Sequence, residues 1–168
     1  MEIEKPETQN NAVKDIDALY SKLKKPVYLL ALSILRSESL AEDVMQETFL
    51  KIIENQSALK TDKNIKSFIF KIAHNKAIDI LRKQKREQPI NTDFAVNSDY
   101  RYIEWSSDFL KATANFSEKE KTMLILHIFG GLSHSKISKI VDMTAVNVRV
   151  KYSRLLKKLK IYYSKKEL

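Results

Sequence analysis

The stretch Leu132–Leu159, LSHSKISKIVDMTAVNVRVKYSRLLKKL, decides how the rest of the chain is read. After Ser133 comes a short helical pattern, Ser135–Val141, with Ile137, Ile140 and Val141 on one side. A polar turn, Asp142-Met143-Thr144, interrupts it. A longer helical pattern then runs from Ala145 to Tyr163. There Val148, Tyr152, Leu155, Leu156 and Leu159, with Tyr162 or Tyr163, recur at helical spacing. A short helix, a tight turn and a longer basic helix around a small apolar core are the grammar of a helix-turn-helix. In such modules the second helix lies in the DNA major groove, and its early residues face base edges. Those residues here are Thr144, Ala145, Asn147, Arg149, Val150, Lys151 and Arg154. Asn can pair with adenine and Arg with guanine through two hydrogen bonds. Lys157, Lys158 and Lys160 suit phosphate contacts or plain solvation. An ordinary three-helix bundle would satisfy the same pattern, so the rest of the chain has to decide.

Upstream, Ser117-Glu118-Lys119-Glu120 carries a capping box that opens a helix through Met123, Leu124, Leu126, His127 and Ile128; Gly130-Gly131 ends it. A modest helix over Ile103–Ala114 precedes it, with Trp105, Phe109 and Leu110. In the first half, Val13–Leu35 places Ile16, Leu19, Tyr20, Leu23, Val27, Leu30, Ala31, Ile34 and Leu35 at helical spacing, and Pro26 is expected to kink that helix or start a second. Ser39-Leu40-Ala41-Glu42 reads as a capping box for a helix ending near Asn55. Its apolar stripe is Val44, Met45, Thr48, Phe49, Ile52 and Ile53. Asn55–Asn64 is a polar loop, with Asp62 or Asn64 available to cap the next helix. That helix, Ile65–Lys85, has an apolar stripe from Ile65 and Phe68 to Leu81 and a basic outer face of Lys66, Lys71, Asn75, Lys76, Arg82 and Lys83. The expected fold is therefore all-α: a loose tail over 1–11, a helical domain over 12–86, a flexible linker over 87–104 and a helix-turn-helix domain over 105–168.

Composition narrows the function. The 168 residues include two glycines, adjacent to each other, three prolines and no cysteine. A Gly-rich phosphate loop, disulfides, thiol catalysis and cysteine-based zinc sites are excluded. The N-terminus is polar and acidic, and the longest apolar stretches, Val27–Leu35 and Met123–Phe129, are too short to span a bilayer. No membrane insertion is expected, and a soluble cytoplasmic protein is. His74, His127 and His134 fall on different helices without metal-ligand spacing, so neither a metal, another cofactor nor an enzyme activity is expected. His74 is read as lying on its helix face beside Asn75, and His127 as a partly buried core residue. Charge is uneven. Residues 1–86 carry 16 basic and 12 acidic side chains, residues 87–116 carry 2 and 5, and residues 117–168 carry 12 and 4. Two net-basic segments flanking an acidic one suit a polyanion, most simply nucleic acid.

Two strings in this order make the reading more specific: AEDVMQETF at 41–49 and SFIFKIAHNKAIDILR at 67–82, followed by Leu124–Gly131 and the terminal helix-turn-helix. Together they resemble the extracytoplasmic-function (ECF) class of RNA polymerase sigma factors of the sigma-70 family. The resemblance implies a protein that binds core RNA polymerase and reads the −10 and −35 elements of promoter DNA. It implies that Asp43, Gln46 and Phe49, with Glu47, dock on the clamp of the largest polymerase subunit. It places −10 strand capture on the loop and following helix, with Ser57, Lys60, Asp62, Lys66, Lys71 and Asn75 as base-side candidates. Arg82, Lys83 and Arg86 are the phosphate candidates there. The −35 duplex would fall to the helix-turn-helix residues named above. The acidic linker would run through the polymerase, and an anti-sigma factor is a possible further partner, common in the family. Two departures stand out. Phe68 sits where the family commonly has Trp. In the terminal motif, Lys136-Ile137-Ser138 and Val146-Asn147-Val148 replace the usual residues, and Val150 occupies a position usually small or polar, so no −35 preference carries over. The competing readings are a free-standing helix-turn-helix regulator with an N-terminal dimerisation or sensory bundle, and a pure interaction protein.

Overall fold

The run Val27–Leu35 is apolar on every side, so as a helix it is stable when other helices surround it. The computed structural model shows that arrangement. It describes residues 7–55, 64–87 and 104–166, which form seven helices. In chain order they are α1 (Glu7–Leu35), α2 (Glu38–Glu54), α3 (Ile65–Glu87), α4 (Glu104–Ala112), α5 (Glu118–Ile128), α6 (His134–Val141) and α7 (Ala145–Lys166). No strand occurs among the described residues. The fold is all-α, in two helical units, the second ending in a helix-turn-helix. The tip of the N-terminal tail, most of the loop after α2 and almost all of the expected linker lie outside the described residues.

In the first unit α1 packs against α2 and α3, which also pack on each other. Leu23, Val27, Leu29, Leu30, Ala31 and Leu32 are buried, and the Ser33 hydroxyl among them donates to the Leu30 carbonyl at 2.8 Å. α1 differs from the sequence expectation at its start and in its continuity, and ends at Leu35 as expected. It begins at Glu7, inside the stretch read as a tail, and it runs unbroken through Pro26. An internal proline removes one helical hydrogen bond and costs about 3 kcal/mol. Burying the apolar residues on either side of Pro26 offsets that cost. The N-cap of α2 is Ser37, not Ser39; its hydroxyl accepts from the Leu40 N–H.

In the second unit α5 is the central helix, with Met123, Leu124, Ile125 and Leu126 all fully buried. The expected capping box is present. Ser117 Oγ accepts from the Glu120 N–H at 3.3 Å, and the Glu120 carboxylate accepts from the Ser117 N–H at 2.8 Å. α5 packs on α6, α7 and, across the boundary between the units, α1; α3 also touches α6. At that boundary His74 of α3 lies 3.7 Å from the Glu118 carboxylate. The side chain is buried, where the sequence had placed it on the helix face beside Asn75. Burial, and then the nearby Arg36, hold the Lys121 ammonium below the ordinary lysine range.

Gly130 is the tightest point of this boundary. A Cβ there would lie 2.7 Å from the Leu126 carbonyl oxygen and 2.9 Å from Cε2 of Phe70, whose ring is fully buried. Gly131 follows with a left-handed φ of +66° and turns the chain into α6. Gly130→Ala should therefore destabilise the protein by about 1–3 kcal/mol through overpacking against the Leu126 carbonyl and the Phe70 ring. Gly130→Ala combined with Phe70→Leu should recover part of the loss. Urea unfolding of the two variants and the parent protein checks both statements.

Candidate nucleic-acid interface

The helix-turn-helix is positioned by local chemistry. Ser133 caps α6, its hydroxyl accepting from the Lys136 N–H at 3.3 Å. α6 ends on Asp142, which takes a left-handed conformation with φ 53° and donates its N–H to the Ser138 carbonyl. Asp tolerates that conformation better than most side chains. Thr144 then caps α7, its Oγ1 accepting from the Asn147 N–H at 3.2 Å. Val148, Tyr152, Leu155 and Leu159 are buried beneath α7, as the periodicity predicts, and Ile137, Ile140 and Val141 meet them from α6. Thr144, Asn147, Arg149, Val150, Lys151 and Arg154 are exposed, and Ala145 is half-buried. All seven expected duplex-reading residues thus lie in the turn or the first three turns of one exposed helix.

Under this helix sits a cluster of rings. His127 and His134 stack with centroids 4.7 Å apart, and Tyr152 meets His127 edge-on at 4.5 Å. His127 Nδ1 donates to the Leu132 carbonyl at 2.8 Å, which fixes it as the partly buried residue the sequence suggested. His134 Nε2 is buried with no hydrogen-bond partner. Burial first, then His127 and Arg149, push the His134 pKa below its ordinary value.

The other expected residues divide. On α2, Asp43 and Gln46 are exposed, one turn apart on one side. Glu47 joins them and forms an ion pair with Lys76 of α3. Phe49, which the resemblance put on the docking face and the apolar spacing put in the stripe beneath it, follows the spacing. Its ring is 4% exposed and packs edge-on against Tyr20 at 4.9 Å, so it belongs to the core and not to a docking face. On α3, Lys71, Asn75, Arg82 and Arg86 are exposed, and the 100° turn per residue places them within about 60° of one line. Lys83 is exposed to one side of it and lies 3.9 Å from Glu87; Arg82 lies 3.9 Å from Asp79. Lys66 is not on that line. It falls with the buried Phe70, Ala73 and Ala77 and is half-buried at the helix start. Ser57, Lys60 and Asp62 lie outside the described residues.

Sequence reasoning missed four exposed apolar positions. Leu50 and Ile53 are 56% and 48% exposed and continue the line of Asp43, Gln46 and Glu47 along α2. Ile53 had been assigned to the core stripe, although its spacing of seven from Gln46 already put it on the outer face. Phe68, also read as core, is partly exposed at the start of α3. Val146, named only for its departure from the usual motif, is 64% exposed on α7. Among the described residues no group of three or more His, Asp or Glu side chains could hold a metal ion, and no helix is long and apolar enough to cross a membrane.

An exposed, basic second helix of a helix-turn-helix, joined to a second helical unit with a basic line of its own, defines a helical DNA-binding protein. Its family follows from two matches: residues 19–87 fit sigma-70 region 2, and residues 108–159 fit sigma-70 region 4. The chain belongs to the sigma-70 family and is of the ECF type. It is 27% identical over 157 residues to the ECF RNA polymerase sigma factor SigM of Bacillus subtilis, covering 89% of this chain and 96% of that protein. It is 28% identical over 149 residues to the RNA polymerase sigma factor SigV of the same organism, covering 86% and 89%. Its fold resembles that of the sigma factor RpoE from Bartonella quintana, solved in complex with the anti-sigma factor NepR. The TM-score is 0.69 at 22% identity, over 90% of this chain and 98% of that one.

The ring cluster generates a pH prediction. In the unfolded chain His134 takes up a proton near 6.5, above its folded value, so the unfolded state binds the proton first as pH falls. Stability should be level above that pH and decline as pH drops through it. Thermal unfolding from pH 8 to pH 5 should show the decline, and His134→Asn should flatten it.

Proposed function

We propose that this sigma factor divides promoter-specific initiation among three surfaces. The α2 line of Asp43, Gln46 and Glu47 docks on core RNA polymerase. The loop between α2 and α3, with Ser57, Lys60 and Asp62, and the α3 residues Lys66, Lys71 and Asn75 hold the opened −10 strand, while Arg82, Lys83 and Arg86 take its phosphates. Thr144, Ala145, Asn147, Arg149, Val150, Lys151 and Arg154 grip the −35 duplex. The domain division is the one that the helical patterns suggested: residues 12–86 for docking and −10 capture, 105–168 for the −35 element and 87–104 as the tether.

The observation that carries this reading is the pairing, in one chain, of an exposed recognition helix with a second exposed basic line on α3, each inside its matching sigma-70 region. An unstacked base offers its whole edge to a polar pocket, and cations beside it hold the backbone. Opening is then driven by binding energy, with no bond made or broken by this chain and no cofactor. A free-standing regulator is not favoured, because region 2 accounts for the N-terminal half. The chain works where the polymerase works, in the cytoplasm. An anti-sigma factor, the partner class seen with RpoE of Bartonella quintana, is a fitting regulator.

Purified chain added to core polymerase should start transcription from a cognate promoter with no other sigma factor present; failure to associate with core polymerase refutes the reading. Asp43→Ala with Gln46→Ala should weaken that association about tenfold or more, the scale of one or two interface hydrogen bonds. Both side chains are exposed, so the circular dichroism and unfolding curve should not change. Asn75→Ala should reduce open-complex formation several-fold while leaving closed-complex affinity nearly intact, as read by permanganate reactivity against filter binding.

A further inference from the structure

The outward face of α7 is not uniformly basic. At 100° per residue, the buried Val148, Tyr152, Leu155 and Leu159 set the inward direction. Val146, Val150 and Lys157, and further along Ile161 and Ser164, lie within about 40° of its opposite. Val146 is 64% exposed and Val150 45%. Neither helps the fold at these positions, and valine is a poorer helix former than the lysines and arginines around it. Arg149, Lys151 and Arg154 flank the pair and are exposed. That frame suits a polyanion and disfavours a basic partner. The next exposed apolar residue on that line, Ile161, is three turns from Val150, and two valines by themselves are too small to anchor a protein interface, whose hot spots are large aromatic or arginine side chains. In the major groove an apolar side chain has one base-specific partner, the C5-methyl group of thymine.

We infer that Val146 and Val150 read thymine methyl groups in the −35 duplex, an inference that rests on the assignment of α7 to that element. The two side chains are one helical turn apart, about 6 Å along the axis. For a helix lying in the major groove, the methyls they touch belong to different, nearby A·T pairs. Asn147, between them in sequence, is placed to pair with an adenine of the same A·T-rich core. The valines thus supply sequence discrimination, and the surrounding cations supply affinity.

The test uses the full chain with core polymerase and a −35 element enriched by that holoenzyme from a randomised duplex pool. Each thymine of the enriched element is replaced singly by deoxyuridine, which removes the methyl group and leaves the hydrogen-bonding edge unchanged. At one or two positions the replacement should weaken binding about fourfold, the worth of one buried methyl-sized group. Val150→Ala should weaken binding to the thymine duplex and abolish the deoxyuridine effect at one position. Val146→Ala should do the same at the other. An enriched element without A·T pairs overturns the inference. So does a holoenzyme that binds its promoter specifically yet ignores methyl removal at every thymine; in both cases the assignment of α7 to the −35 duplex stands. A holoenzyme with no duplex preference, whose affinity is unchanged by Arg154→Ala, refutes that assignment and the inference together.

Discussion

Two helices that are apolar on all sides must be covered on all sides, and this chain covers them with each other. Val27–Leu35 of α1 and Met123–Leu126 of α5 come from opposite halves of the sequence, and each is buried around its whole circumference. α2 and α3 cover part of α1, α6 and α7 cover part of α5, and the two central helices meet along what remains. The absence of a side chain at Gly130 lets the Phe70 ring close the junction. The placement of the outer surfaces follows. With the inner sides of α2, α3 and α7 committed to these cores, their outer sides are the ones left for partners. The helices that carry the charged lines are the peripheral ones.

Much of this was legible in the sequence because helical periodicity reports burial directly. The stripe under α7, the capping box at Ser117 and the turn at Asp142 are local features, decided within a few residues. The failures share a cause. Ser37 and Ser39 are equally good caps by type, and the choice between them depends on where α1 stops, which the packing of Leu35 decides. Pro26 is a helix breaker by local rule, and burial on both sides of it overrides that rule. Phe49 and Ile53 were each assigned correctly as apolar, but an apolar residue on an interaction surface looks the same in sequence as one in a core. His74 was given to the helix surface because nothing local shows that α5 and its Glu118 lie against α3. What the sequence could not convey was the contact between the two halves. That contact turns on one glycine and one phenylalanine 60 positions apart, whose spacing follows no helical period.

On the proposed reading, the two kinds of outward residue on α7 would do different work, and their energetics separate them. A cation near a phosphate gains by releasing counterions, a gain that is the same at every base pair and falls steeply with salt. A methyl group against a methyl group gains by excluding water, a gain that is small, nearly indifferent to salt and present at chosen base pairs alone. A recognition helix built from lysine and arginine would hold DNA tightly and slide along it without preference. One built from valine would discriminate among sequences it could scarcely hold. α7 combines them in its first turns: the valines lie at the centre of the exposed face, where the groove floor would be, with Arg149, Lys151 and Arg154 to either side, and Lys157 follows further along the central line. The same division runs through the molecule. On α2 the polar Asp43, Gln46 and Glu47 lead into the apolar Leu50 and Ile53, so that face too offers orientation from charge and hydrogen bonds beside affinity from apolar area. On the proposed reading, the exposed apolar residues on these helices are the part of each surface that would gain most from a partner.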